Sequence, residues 1–391
     1  MSPVTRRRAL QAVSGLVAGL AGCSLVPGES DSVPIPTAWT IDIQRPTRGF
    51  RADDGPLVVG STSPWPDDEC LFGFDPASGE ERWSVPAGDS EGSSAVARDG
   101  AVAFAYTTTG TVRAVDATDG TVDWETGAGS WDLPGREVRL HAPQVVDDVV
   151  VVPASWPYDD AGDRLLGFDA GSGDELWRYP LDAPVAGAPA ASDWAVVVPR
   201  DDGVLEAVDA GGERLWRTER PDPFQSATVT DGRVFVGTSA ERFDVFDLAS
   251  GEHRWSFETE NAVLTRPRLV DGVVYAGSAD YRLYAVDAES GERLWRTETV
   301  NAVTSGPARV GDALVSVLGG WDDGATGDRR FNYEPEAVCV HDAASGDLRE
   351  EFVYEDYYDE GSPQWVASLD GAAYVGHDRG LVKIDGGALD D

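Results

Sequence analysis

Positive charge is scarce in this sequence. Its 391 residues hold 69 acids against 31 bases, for a formal net charge of −38. Lysine has all but vanished: Lys383 stands alone, and every other base is an arginine. Nucleic acid is excluded as a partner, because phosphate binding needs a basic patch. Cysteine is also rare, at Cys23, Cys70 and Cys339, with no C-x-x-C spacing. The four histidines, His141, His253, His341 and His377, lie in separate parts of the chain without the short spacing of a metal-ligand pair. No P-loop and no Ser-His-Asp order is present, so no catalytic set stands out.

The acids are spread along the whole chain, which describes a solvated surface rather than one cation site. Such a surface repels itself in dilute buffer. In molar salt the Debye length falls to ~3 Å and most of that repulsion disappears. A halophilic protein is expected.

The N-terminus carries a targeting segment. Arg6, Arg7 and Arg8 precede an apolar run at 12–21, shorter than the ~20 residues that span a bilayer. "TRRRAL" at 5–10 resembles a twin-arginine export motif, and "LAGC" at 20–23 resembles a lipobox. Together they are similar to a haloarchaeal-type twin-arginine lipoprotein signal. They imply a signal peptide over 1–22, lipidation of Cys23, and a cell-membrane location, anchored on the extracytoplasmic side. Residues 23–37, rich in Pro, Ser and acids, read as a linker.

Residues 38–389 are dominated by internal repetition. An Asp, a Gly-containing turn and a Trp recur as "FDPASGEERW" (74–83), "VDATDGTVDW" (115–124), "FDAGSGDELW" (168–177), "VDAGGERLW" (208–216), "FDLASGEHRW" (246–255) and "VDAESGERLW" (286–295). A seventh copy (341–352) has Glu350 in place of Trp, and an eighth begins at "KIDGG" (383–387). Between these lie hairpin signals such as "PRLVDGVVYAGS" (267–278), where Asp-Gly separates two apolar runs. Each unit therefore predicts four short strands. The expected fold is all-β: an eight-bladed β-propeller of four-stranded blades, closed by an N-terminal strand bearing Trp39 that completes the last blade.

These repeats resemble those of the pyrroloquinoline-quinone-like propellers, which include the quinone-dependent dehydrogenases and the BamB outer-membrane assembly lipoproteins. The resemblance implies that Trp39, Trp83, Trp124, Trp177, Trp216, Trp255 and Trp295 dock on the Gly turn of a neighbouring repeat. It also implies that the joint at Glu350 is the weakest. For the dehydrogenases it implies an adjacent Cys-Cys pair and a calcium with the quinone, and this sequence has no such cysteine pair. No cofactor is expected, with that quinone and calcium as the alternative. Cys70 and Cys339 fall in units one and seven, too far apart for the ~7 Å limit of a disulfide.

Strand alternation places the long insertions on one face of the ring, where binding is expected. They carry Trp65, Trp131, Trp156, Tyr158, Trp321, Phe331, Tyr333, Tyr357 and Tyr358, interleaved with acids. Such aromatics serve as interface anchors or as mutual packing within the loops. "WDDGATGD" (321–328) has the flavour of a calcium loop without EF-hand spacing. The function expected is a non-catalytic binding or scaffold protein, with a protein partner or small ligand on the loop-rich face. The alternatives are a quinone-dependent dehydrogenase and a solute- or carbohydrate-binding propeller.

Overall fold

The Asp-Gly pairs make the turns that their chemistry favours. Both central residues have positive φ at Asp231-Gly232 (48° and 68°), Asp271-Gly272 (50° and 77°) and Asp370-Gly371 (49° and 72°). This is the type I′ geometry, whose twist matches that of the flanking strands. The other repeated turn is held by its aspartate. Asp75 Oδ1 accepts from the N–H groups of Ala77 and Ser78 at 2.9 and 3.0 Å, and Asp169, Asp247, Asp287 and Asp342 repeat the arrangement. In the shortened copy Asp209 Oδ1 accepts from Glu213 instead, at 2.9 Å.

The computed structural model describes residues 35–389 except 44, 48, 52–54, 62–68, 87–91, 99–100, 107–109, 128–137, 156–161, 264, 320–335, 355–361 and 379. Its strands form antiparallel sheets that follow the repeats. In chain order they cover 50–86 (sheet 1), 92–127 (sheet 2), 139–180 (sheet 3), 190–219 (sheet 4), 224–258 (sheet 5), 268–298 (sheet 6) and 308–354 (sheet 7). Sheet 8 joins 363–384 to the N-terminal strand Thr37–Ile41, which pairs with Gly380–Ile384 so that Trp39 faces Lys383.

The expectation of eight four-stranded blades is corrected here. Seven blades have four strands each, and sheet 3 has five. Its first strand is broken into Arg139–Leu140 and Gln144–Val146, both paired with Val149–Ser155. Between them, residues 141–143 face only 152 and 153, so the strand bulges. Pro143 and Pro153 lie at the break and neither has an N–H to give to the ladder.

The middle strands whose burial is described are covered on both sides by neighbouring sheets. Ala195–Pro199 and Ala313–Leu318 are buried at every position, as their unbroken apolar sequences require. Outer strands such as Arg293–Glu298 alternate exposed and half-buried residues. The core is consequently a series of layers between sheets. One layer packs Phe235, Phe243, Val245 and Phe257 of sheet 5 against Val274, Ala276, Tyr284 and Val286 of sheet 6.

The tryptophans lie at these joints. A Cβ added to Gly79, Gly120, Gly173, Gly212, Gly251, Gly291 or Gly346 would stand 2.5–2.9 Å from the ring of Trp39, Trp83, Trp124, Trp177, Trp216, Trp255 or Trp295, respectively. Every one of these glycines has positive φ, so both space and backbone exclude a side chain. The indole N–H groups of Trp39, Trp83, Trp124, Trp177, Trp216 and Trp295 donate to the carbonyls of Pro76, Ala117, Ala170, Ala210, Leu248 and Ala343. At the Glu350 position a different link is used. Arg349 Nη1 donates to the Leu389 carbonyl at 3.0 Å, and its guanidinium also holds Asp312 and Asp342. A core layer including Phe352, Val366, Val382 and Leu389 crosses that joint.

Two further links join sheet 8 to sheet 1. Trp365 donates to the Pro46 carbonyl at 2.7 Å, and Lys383 Nζ donates to the Pro76 carbonyl at 2.8 Å, the acceptor that Trp39 also uses.

Candidate functional site on the loop-rich face

The second strand of most sheets ends toward the loop-rich face on a buried polar residue: Ser61, Arg200, Thr238, Ser278 and His377. In sheets 5 and 6 the hydroxyl ties down the turn that follows. Thr238 donates to the Arg242 carbonyl at 2.8 Å and accepts from Ala240, while Ser278 accepts from the N–H of Asp280. In sheet 4 the position holds Arg200, 1% exposed and paired with Glu206 at 3.1 Å and Asp202 at 2.5 Å. Tyr179 of sheet 3 donates to the other oxygen of Glu206, which extends the network across the joint.

Sheet 8 differs, because its histidine belongs to a group of titratable residues at the joint with sheet 7. Glu336 begins the third strand of sheet 7 and lies opposite Tyr354 in the outer strand. Burial, together with the Asp378 carboxylate, pushes the Glu336 carboxyl up to about 7 against a smaller opposing effect of Ser362. Asp378 Oδ1 accepts from the Ser362 N–H at 2.8 Å and lies 3.2 Å from His377 Nδ1. The His377 ring in turn lies 5.4 Å from the Tyr354 ring, so the contacts return to their start. His377 is 2% exposed, and its Nε2 has no hydrogen-bond partner among the described residues.

A second set has the residue types of a hydrolase but not the wiring. His253 Nε2 lies 2.8 Å from Ser256 Oγ, and Ser256 donates to Asp244 at 2.5 Å. In a nucleophilic triad the carboxylate holds the histidine and the histidine takes the serine proton. Here the serine hydroxyl donates its hydrogen bond to the carboxylate instead, and Arg242 already pairs with that carboxylate. Desolvation, followed by the charge of Arg220, lowers the His253 pKa. The set stabilises the outer strand of sheet 5.

Among the residues singled out in the sequence, His341 is buried at 1% exposure, and Cys339 is buried and unpaired. His141 sits in the strand break, 3.0 Å from Ser155 Oγ. Cys23, the loop aromatics Trp65, Trp131, Trp156, Tyr158, Trp321, Phe331, Tyr333, Tyr357 and Tyr358, and the 321–328 segment lie outside the described residues. Two joint residues escape the sequence reading. Trp365 lies outside the Asp-turn-Trp motif, and Arg349 is one position from the missing Trp. The signal available for Arg349 is an arginine beside Glu350 at the one turn without an indole. No group of three His, Cys, Asp or Glu among the described residues could hold a metal ion, and no described helix is long and apolar enough to cross a membrane.

Comparison with known proteins gives the same architecture. Residues 36–155, 126–228 and 202–352 match the family described as outer membrane protein assembly factor BamB. The serine/threonine-protein kinase AfsK of Streptomyces coelicolor is 29% identical over 237 residues, covering 59% of this chain and 26% of AfsK. The quinohemoprotein alcohol dehydrogenase ADH IIB of Pseudomonas putida is 30% identical over 152 residues, covering 33% of this chain and 21% of that enzyme. The chain thus spans about a quarter of the length of these curated relatives. The crystal structure of BamB from Moraxella catarrhalis superposes with a TM-score of 0.65 at 16% identity, covering 90% of this chain and 99% of that one, a likeness of fold.

Proposed function

Because the chain belongs to the BamB family of quinone-type repeat propellers, we propose that it is a non-catalytic binding or scaffold protein that receives a protein partner on its loop-rich face. One observation carries this reading. Glu336 is the first described residue after the connection 320–335, and it lies opposite Tyr354, the last described residue before the connection 355–361. Two of the longest insertions therefore meet the scaffold side by side. A rigid base beneath variable connections is where proteins place recognition. The aromatics Trp321, Phe331, Tyr333, Tyr357 and Tyr358 lie in those two connections and have the chemistry of interface anchors.

The lipobox-like "LAGC" supports tethering through Cys23 on the outer side of the membrane. The quinone-enzyme alternative finds less support, since the sequence lacks the adjacent cysteines that the dehydrogenase resemblance implies.

Photocrosslinking on intact cells tests the proposal, with a photoreactive residue at position 357. One protein should be captured, capture should be lost on Trp321→Ala, and Cys23→Ser should release the chain from the membrane fraction. Capture that is unaffected by Trp321→Ala and equally efficient from the opposite face, at position 271, would sink the reading.

A further inference from the structure

The chain enters the fold on the face opposite the insertions. Strand Thr37–Ile41 runs antiparallel to Gly380–Ile384, with Thr37 opposite Ile384 and Ile41 opposite Leu381. Thr37 therefore lies beside the turn at Asp385, and the Pro36 carbonyl accepts from the Asp385 N–H at 3.0 Å. Ile35 is buried in the core layer between sheets 7 and 8. The chain is thus fixed to the scaffold as far back as Ile35, and its exit lies among the short turns. Residues 24–34 separate that exit from Cys23. Fully extended, they reach about 40 Å at most. Turning the loop-rich face to a membrane would use up about half of that reach along sheet 8 alone, whose strands are about 17–20 Å long. The insertions 320–335 and 355–361 would then stand between the scaffold and the lipid.

A second, independent sign lies on the short-turn face. In sheet 4 Asp193-Trp194 takes the place that Asp-Gly has in sheets 5, 6 and 8. Trp194 is 43% exposed, the only exposed aromatic among the side chains described. Its turn is braced without a glycine. Ser192 Oγ accepts from the N–H groups of Trp194 and Ala195 at 3.3 and 3.2 Å, and the Asp193 carbonyl accepts from the Asp147 N–H of sheet 3 at 3.0 Å. An indole held outward at a turn has the amphipathic chemistry of a membrane–water interface. The acids of this face are partly offset, since Asp271, Asp312 and Asp370 pair with Arg309, Arg349 and Arg51. We propose that the short-turn face lies against the membrane with Trp194 at the lipid interface, so that the loop-rich face points outward to its partner. The lipid on Cys23 supplies the affinity, and the exit point and Trp194 supply the orientation. This rests on the reading of Cys23 as lipidated.

The lipidated full chain is tested in vesicles of phosphatidylcholine and phosphatidylglycerol, in molar KCl to screen the acidic surface. A benzophenone residue replaces Ala249 or Ser239, exposed in the turns at either end of strand Arg242–Asp247, on the short-turn and loop-rich faces respectively. Lipid adducts should be about tenfold more abundant from 249, because bringing 239 to the lipid stretches the segment after Cys23. Trp194→Ser should lower the yield at 249 several-fold, with an unchanged denaturation midpoint because the side chain is exposed. Equal yields from the two positions, or more from 239, in a chain that sediments with the vesicles overturn the orientation and leave the anchor standing. A chain that fails to sediment, or sediments equally well as Cys23→Ser, overturns the anchor and the orientation with it. An unchanged yield at 249 in Trp194→Ser overturns the indole contact. Partner capture at position 357 is read separately, so the docking face stands or falls on its own.

Discussion

Position 341 shows how far a single residue's chemistry can be read from its sisters. The residue before each repeat aspartate is Phe74, Val115, Phe168, Val208, Phe246, Val286 or Ile384, and His341 in the seventh unit. Those neighbours declare a packed strand position, and His341 is indeed 1% exposed, with its Nδ1 lacking a partner among the described residues. Burial pulls its pKa down to about 4, against a smaller opposing effect from a hydrogen bond with the Leu314 backbone. The folded imidazole is therefore neutral through mildly acidic pH, while the unfolded one titrates near 6.5. Its contribution to stability is intact above about 6.5 and is lost as pH falls toward about 4. Replacing His341 by Phe should remove that loss, raising unfolding free energy by about 1–2 kcal/mol at pH 5 relative to its effect at pH 8. Chemical denaturation at the two pH values checks this; an equal effect at both would mean that the histidine is not the titrating group.

At the scale of strands and turns, the repeat is legible because its turn chemistry is local. An aspartate that bonds the N–H groups two and three residues on, and a glycine at positive φ, are determined within about five residues. The split first strand of sheet 3 is not legible. It depends on Pro143 and Pro153, far enough apart in sequence to lie on different strands, falling opposite the same bulge. The link used at the Glu350 joint is not legible for a related reason, since it comes from Arg349 and a carbonyl 40 residues away. The two kinds of joint should differ in cost. Trp295→Ala removes a large ring from the layer between sheets 6 and 7 and should destabilise by about 3–5 kcal/mol. Arg349→Met, which keeps the stem and loses the hydrogen bonds, should cost about 1–2 kcal/mol. Urea midpoints of the two variants measure the difference, and an Arg349→Met loss as large as that of Trp295→Ala would contradict the packed joint at residues 308–389.

The whole molecule carries more negative charge than its arginines can neutralise. Ion pairs such as Arg242 with Asp222, Arg282 with Glu260 and Arg309 with Asp271 each take one acid, yet the formal net charge is −38. Self-repulsion at that charge is long-range and is screened by salt. The thermal midpoint should rise between about 0.1 and 2 M KCl, and a maximum in dilute buffer would refute a salt-adapted surface. At this scale the candidate site is half legible. The insertions and their shared face follow from strand alternation, whereas Glu336, Ser362, His377 and Asp378 meet only because two sheets pack against each other. A last consequence follows from the seam between sheets 8 and 1. The single side-chain amine of the protein is committed there, half-buried, with its Nζ on the Pro76 carbonyl. Reagents that seek lysine, whether crosslinkers, biotin esters or activated resins, will find no other side chain to attack, and reaching this one means loosening the seam. A partner sought by amine chemistry would be missed even while bound, and the acids and loop aromatics are the handles that remain.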